Sequence, residues 1–192
     1  MVSIRDLSKE EILFILDHAA KAMPVAKGER RSKALDGRLL ATLFFEPSTR
    51  TRLSFETAMN RLGGSVIGFS DASGTSVVKG ETLADTIRMA ESYADAIVLR
   101  HPHEGAAKLA ADFSSKPVIN AGDGAGQHPT QTLLDLFTIK MEKGEIADNN
   151  IVLVGDLKYG RTVHSLSYAL SLFGANITLV APPSLQMPLE VV

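Results

Sequence analysis

The sequence predicts an α/β protein: a parallel sheet covered by helices, followed by the start of a second α/β domain. Three observations carry that expectation. Short apolar runs, as over 39–45 and 151–154, alternate with segments whose apolar residues recur at helical spacing. Glycines and prolines sit at the joints, as at Gly63-Gly64 and Pro182-Pro183. The unusual polar clusters all follow apolar runs, at the strand ends where open parallel sheets hold ligands.

The elements follow in order. Ser8-Lys9-Glu10-Glu11 reads as a capping box opening a helix that carries Ile12, Leu13, Ile15, Leu16 and Ala19 on one face. The basic stretch 27–33 reads as a solvated loop. A strand over 39–45 feeds a helix over 49–62, which Gly63-Gly64 stops before a strand over 65–69. A polar loop over 71–79 precedes a helix over 81–93 and a strand over 96–99. Then come a helix over 104–113, a strand over 117–120, a loop over 122–126 and a helix over 130–141. A further strand–helix–strand pattern occupies 151–154, 162–173 and 176–180. The expected domains are 1–143 and 144–192, with the helix before Gly144 as connector. About fifty residues are too few to cover a parallel sheet on both faces, so the chain is expected to be a piece of a longer protein.

Composition excludes several classes. With 45% hydrophobic and 22% charged residues the chain reads as ordinary soluble globular protein. A net charge of −2 argues against nucleic-acid binding by bulk charge, so affinity for anions must be local. No stretch approaches the ~20 apolar residues of a membrane span. Residues 1–9 lack the pattern of a secretory signal. Zero cysteines remove disulfides, thiol nucleophiles and thiolate metal sites. Cytoplasmic location and small-molecule chemistry fit this composition.

The most informative segment is Ser48-Thr49-Arg50-Thr51-Arg52, at a strand-to-helix junction. The first amides of a helix point outward unbonded, and its dipole favours negative charge there. Ser48, Thr49 and Thr51 add hydroxyl donors, and Arg50 and Arg52 add forked guanidinium donors. A lone Ser-Thr here would be an ordinary helix cap with solvated neighbours. Five such residues in a row read instead as a phosphate cradle.

The other clusters each admit a structural and a functional reading. In Arg100-His101-Pro102-His103, Pro102 prevents the regular strand that would aim both histidines at a metal. Arg100 reads better as a second clamp on the phosphate. His128-Pro129-Thr130-Gln131 opens a helix; His128 can donate to a developing oxyanion, and the Gln131 amide can recognise a planar N–C=O group. Alone, this would be a polar helix start with a proline in its first turn. Gly155 to Thr162 has the phosphate-loop spacing, but Arg161 stands where that motif needs lysine. Gly122, Gly124 and Gly126 miss the dinucleotide pattern because Gln127 holds its third glycine position. Ser76 and Lys79 alone are a routine approach to a helix. No cofactor and no metal are expected.

Assembled, these residues resemble the catalytic chains of the aspartate/ornithine carbamoyltransferase family. The matching stretches are Phe45-Glu46-Pro47-Ser48-Thr49-Arg50-Thr51-Arg52-Leu53-Ser54-Phe55-Glu56, Lys79-Gly80-Glu81-Thr82, Arg100-His101-Pro102, His128-Pro129-Thr130-Gln131-Thr132-Leu133-Leu134-Asp135 and Asp156-Leu157-Lys158-Tyr159-Gly160-Arg161-Thr162. The last stretch, and Arg100-His101-Pro102 in place of His-Cys-Leu-Pro, look like the aspartate rather than the ornithine enzymes.

The resemblance implies a carbamoyl-phosphate-binding domain over 1–143 and a partial, Rossmann-like aspartate-binding domain over 144–192. It implies carbamoyl transfer to the amine of L-aspartate, giving carbamoylaspartate and phosphate, a step of pyrimidine biosynthesis. Ser48, Thr49, Arg50, Thr51 and Arg100 would hold the phosphate. Thr51, Arg100 and His128 would contact the carbamoyl oxygen, and Gln131 with the Pro129 region the carbamoyl nitrogen. Ser76 and Lys79 would come from the neighbouring subunit of a homotrimer, with room for separate regulatory chains. Arg161, with Lys79, would bind aspartate. A second aspartate-binding arginine of the family would lie beyond residue 192, so these residues alone are expected to be inactive. Two other readings stay open: transfer to another amine, and a non-catalytic anion-binding or assembly module.

Overall fold

The computed structural model describes residues 1–124, 126–189 and 191. Ala125, inside the loop expected over 122–126, and Glu190 and Val192, at the end of the expected second domain, lie outside the described residues. The backbone divides into two compact units, Met1–Val2 with Ala20–Gly124, and Ser3–Ala19 with Ala125–Val192. The first helix, Lys9–Ala26 (α1), contributes to both.

The first unit is built on four parallel strands, Leu39–Phe44 (β1), Ser65–Phe69 (β2), Ala96–His101 (β3) and Val118–Asp123 (β4), in the order β2-β1-β3-β4. Three further helices belong to it: Thr49–Arg61 (α2), Leu83–Tyr93 (α3) and Ala106–Phe113 (α4). β1 is buried along nearly its whole length, as a near-continuous apolar run should be when both faces of a parallel sheet are covered. Its alternate side chains serve two cores. Ala41 and Leu43 pack with Ile97, Leu99 and Val118 against Ile87 and Ala90 of α3 and Ala107 and Ala110 of α4. Leu40 and Phe44 pack with Val98 and Ala121 against Met59 of α2. Phe44 is fully buried, which stabilises the fold by roughly 1.5–3 kcal/mol.

The chain leaves β1 for β2 on one side and then returns to β3 on the other. The carboxyl ends of β1 and β3 therefore flank a topological switch point, where an open sheet leaves a crevice for ligand. Gly68 permits the tight pairing of β2 with β1. It faces Thr42 in the register, has φ of 140°, and any Cβ there would collide with the Thr42 carbonyl.

Several boundaries differ from the sequence expectation. β3 continues two residues past Leu99, so Arg100 lies within a strand rather than after one, and Pro102 ends it. β4 continues through Asp123 because the Asn120 side chain accepts from the Gly122 amide at 2.7 Å and donates to Asp123 at 3.0 Å. α3 starts at Leu83, not 81, because Thr82 is its cap and accepts from the Asp85 amide at 3.2 Å. α4 starts at Ala106, not 104, because Gly105 is left-handed with φ of 81°. The loop over 71–79 contains two short 3-10 turns, Ala72–Gly74 and Ser76–Lys79, capped by Asp71 and Thr75.

The second unit holds two parallel strands, Asn150–Val154 (β5) and Asn176–Val180 (β6), and two helices, Pro129–Lys143 (α5) and Arg161–Leu172 (α6). Leu166, Ala169 and Leu170 of α6 are buried, together with Leu153 and Phe173. Asp17 of α1 meets Lys140 of α5 at 2.7 Å, and the Arg5 guanidinium lies 5.3 Å from the centre of the Tyr168 ring. Val152, Val154 and Val180 stay exposed. Among the described residues no helix is long and apolar enough to cross a membrane.

Candidate functional site

In the first unit, α2 starts where β1 ends. Ser48 occupies the cap position with extended backbone, yet its side chain makes no capping hydrogen bond. The hydroxyl is therefore not spent as an ordinary helix cap. The first intrahelical bond runs from the Arg52 amide to the Ser48 carbonyl at 3.3 Å, which leaves the amides of Thr49, Arg50 and Thr51 as the outward donors of the first turn. Arg50 is exposed and forms no ion pair among the described residues. No acidic residue lies in the first turn, so the positive end of the helix is unopposed there.

Arg52, which the sequence also offers as an anion donor, carries a carboxylate partner. Its Nε lies 3.0 Å from Glu56 Oε1, and the buried Thr42 hydroxyl donates to the same oxygen at 3.2 Å. These three residues help line a cleft of about 540 Å³ beside the end of β2, together with Phe69, Asp71 and Thr75. Arg52 thus has a carboxylate partner one helical turn along; Arg50 does not.

Arg100 is buried at the end of β3, beside the β1–α2 loop: its carbonyl accepts from the Phe45 amide at 2.8 Å. One terminal nitrogen donates to the Ala121 carbonyl at 3.1 Å and the other to Glu46 Oε1 at 3.1 Å. Its Nε is buried with no hydrogen-bond partner among the described residues. A buried polar atom left unsatisfied is costly, and it marks this side chain as held ready for another acceptor. His101, next in the strand, accepts from the His103 amide through Nδ1 at 3.0 Å and stacks against Phe45 at 4.9 Å. Burial, and then His103, push its pKa down, so the neutral ring is favoured. Ser76 and Lys79 lie exposed on the second 3-10 turn.

In the second unit, His128 is buried at the cap position of α5, with Pro129 opening the helix. The Thr130 hydroxyl lies 3.5 Å from its Nδ1. Gln131, in the first turn, donates from Nε2 to Asp135 Oδ1 at 3.0 Å. Gln127, just before, accepts from Ser165 of α6 at 3.1 Å, which ties the starts of the two helices. Arg161 is the first residue of α6. The loop before it is folded by Asp156, whose Oδ1 accepts from the Lys158 and Tyr159 amides at 3.1 and 2.9 Å. Gly160 is required there, since a Cβ would lie 2.5 Å from the Asp156 carbonyl oxygen.

The structure thus brings residues 48–52 and Arg100 together at the switch point of the first unit, and puts His128, Gln131 and Arg161 at helix starts of the second. Glu46, Glu56, Thr42 and Asp135 were not singled out from the sequence. The two helical partners had a readable signal, since Glu56 and Asp135 stand four residues after Arg52 and Gln131. Glu46 and Thr42 had none, because their partners stand 54 and 14 residues away in the sequence.

Residues 1–141 match the family described as aspartate/ornithine carbamoyltransferase, carbamoyl-P binding domain. The chain belongs to this family. It is 64% identical over 189 residues to the aspartate carbamoyltransferase catalytic subunit of Methanocella arvoryzae, covering 98% of this chain and 61% of the relative. It is 62% identical over 192 residues to that of Methanothrix thermoacetophila, covering 100% and 62%. Among solved structures it superposes on the catalytic subunit of M. jannaschii aspartate transcarbamoylase with a TM-score of 0.94 at 59% identity, covering 100% of this chain and 63% of that one. The Trypanosoma cruzi enzyme in complex with N-(phosphonacetyl)-L-aspartic acid gives 0.93 at 44% identity, covering 100% and 62%. The chain therefore spans about three fifths of the length of the curated relatives it matches.

Proposed function

We propose that this chain is the carbamoyl-phosphate-binding part, with the start of the aspartate-binding part, of a cytoplasmic aspartate carbamoyltransferase. Residues 1–143 would form the first domain and 144–192 the beginning of the second. The observation that carries the reading is the open first turn of α2 standing beside a buried Arg100 with an unpartnered Nε. Identity of about 60% to named catalytic subunits supports aspartate as the acceptor.

In the reaction the aspartate amine attacks the carbamoyl carbon, a C–N bond forms, the C–O bond breaks with its electron pair leaving on phosphate, and the amine proton passes to the departing phosphate. No side-chain nucleophile is needed. The protein's part is to orient two small anions and to meet the charge that grows on the carbonyl oxygen. Ser48, Thr49, Arg50, Thr51 and Arg100 take the phosphate; Thr51, Arg100 and His128 meet the oxygen; Gln131 takes the carbamoyl nitrogen. Arg161 and Lys79 serve the aspartate carboxylates. Ser76 and Lys79 act from the adjacent subunit of a homotrimer, as the exposed turn that carries them permits.

Calorimetric titration with carbamoyl phosphate tests the reading. The protein is expected to bind it, and Arg50→Ala to weaken binding at least about tenfold, the loss of one charge-assisted contact. Absence of binding, or equal affinity in the variant, would remove the assignment.

A further inference from the structure

We infer that Asp135 is a positioning residue that fixes the orientation of the Gln131 amide and thereby makes the site select an –NH2 group over a methyl. The inference rests on the proposed role of Gln131 toward the carbamoyl nitrogen. A side-chain amide has a donating end and an accepting end, and either could face a ligand. A carboxylate accepts hydrogen bonds but offers none, so Asp135 can engage only the NH2 end. The structure has that bond, Gln131 Nε2 to Asp135 Oδ1 at 3.0 Å. The carbonyl oxygen of Gln131 carries no hydrogen bond among the described residues. On this inference it is the end that meets the ligand, and it can accept only from a donor.

Carbamoyl phosphate offers such a donor in its terminal NH2; an acyl phosphate of the same shape offers a methyl. A site built to hydrogen-bond an N–H discriminates strongly against the analogue lacking it, because its own polar atom is then left unpaired. The half-buried setting strengthens the device. Burial pushes the Asp135 carboxyl up from its ordinary range while the Gln131 bond pulls it back, so each group supports the other in that place. Asp135 stands one turn after Gln131 on α5, so the helix itself holds the pair in register.

A pair at this spacing also steadies a helix, so a melting curve does not separate the two roles. A selectivity ratio does. Phosphonoacetamide and acetonylphosphonate are stable analogues that differ only in NH2 against CH3. Calorimetry on the protein is expected to favour the amide by about tenfold or more. Asp135→Ala should bring the ratio to within about threefold of unity. Asp135→Asn, which keeps the shape but can meet either end of the Gln131 amide, should lower it too, and it decides the matter if the alanine variant does not fold. Arg50→Ala should weaken both ligands alike and preserve the ratio, since phosphate is common to them. A ratio unchanged in both Asp135 variants but lost in Gln131→Ala would overturn the inference and leave the proposed function standing. Failure of the unaltered protein to bind either analogue would overturn both.

Discussion

Burying the Arg100 guanidinium costs free energy that Glu46 and the Ala121 carbonyl offset, and the balance can be read by removing the carboxylate. Glu46→Gln should lower stability by about 1–2 kcal/mol, toward the low end of buried-pair effects because the Glu46 side chain is 37% exposed. A urea midpoint would report it, and saturating phosphate should recover part of the loss by occupying Arg100. An unmoved midpoint would show that Arg100 does not depend on Glu46. His101, beside it, has a folded pKa below its unfolded value, so the unfolded chain binds more protons. That contribution is present above about pH 6.5 and is lost as pH falls toward the folded value. Melting temperature should therefore drop as pH falls below about 6.5, and His101→Leu should flatten that drop; equal slopes would contradict the assignment. In the complete enzyme, the oxyanion role proposed for His128 predicts that His128→Ala lowers turnover on the order of hundredfold with carbamoyl-phosphate affinity nearly kept. Full turnover in that variant would remove His128 from the chemistry.

The secondary-structure elements divide into those that local pattern specifies and those that side-chain bonds extend. Strand boundaries at 65–69 and 176–180 were readable to the residue, because Gly63-Gly64 and Ser70-Asp71 close the first and Gly174 and Pro182-Pro183 bound the second. The ends of β3 and β4 were not. Arg100, Asn120 and Asp123 are polar, and what keeps them in strands is the Arg100 bond to the Ala121 carbonyl of the neighbouring strand and the Asn120 bonds to Gly122 and Asp123 within β4, which periodicity does not encode. Helix starts shifted for a similar reason, since Thr82 and the left-handed Gly105 act as caps rather than as first-turn residues. Gly68 marks the tightest strand contact. Gly68→Ala should cost about 3 kcal/mol or more, with β2 displaced from β1, because the backbone conformation and the Thr42 carbonyl both reject a Cβ. A melting temperature within about 2 °C of the parent would refute the strict geometry claimed for that pair.

Across the whole chain, what could be read early was the chemistry of the loops: hydroxyls, guanidiniums and an imidazole at strand ends, with no thiol and no bulk charge. The strand order was not readable, and it is the order β2-β1-β3-β4 that sets Arg100 beside the 48–52 turn and so gives the first unit its switch-point crevice. The carboxylates were the other gap, because a reading tuned to anion donors passes over the acids that hold those donors. Glu46, Glu56 and Asp135 each hold a residue that the sequence had put forward. A crystal structure of the protein with phosphonoacetamide tests this arrangement most directly. The phosphonate should lie on the amides of Thr49, Arg50 and Thr51, with the Arg100 guanidinium turned from Glu46 toward it. A phosphonate bound elsewhere, with Arg100 still on Glu46, would contradict the phosphate cradle on which everything else depends.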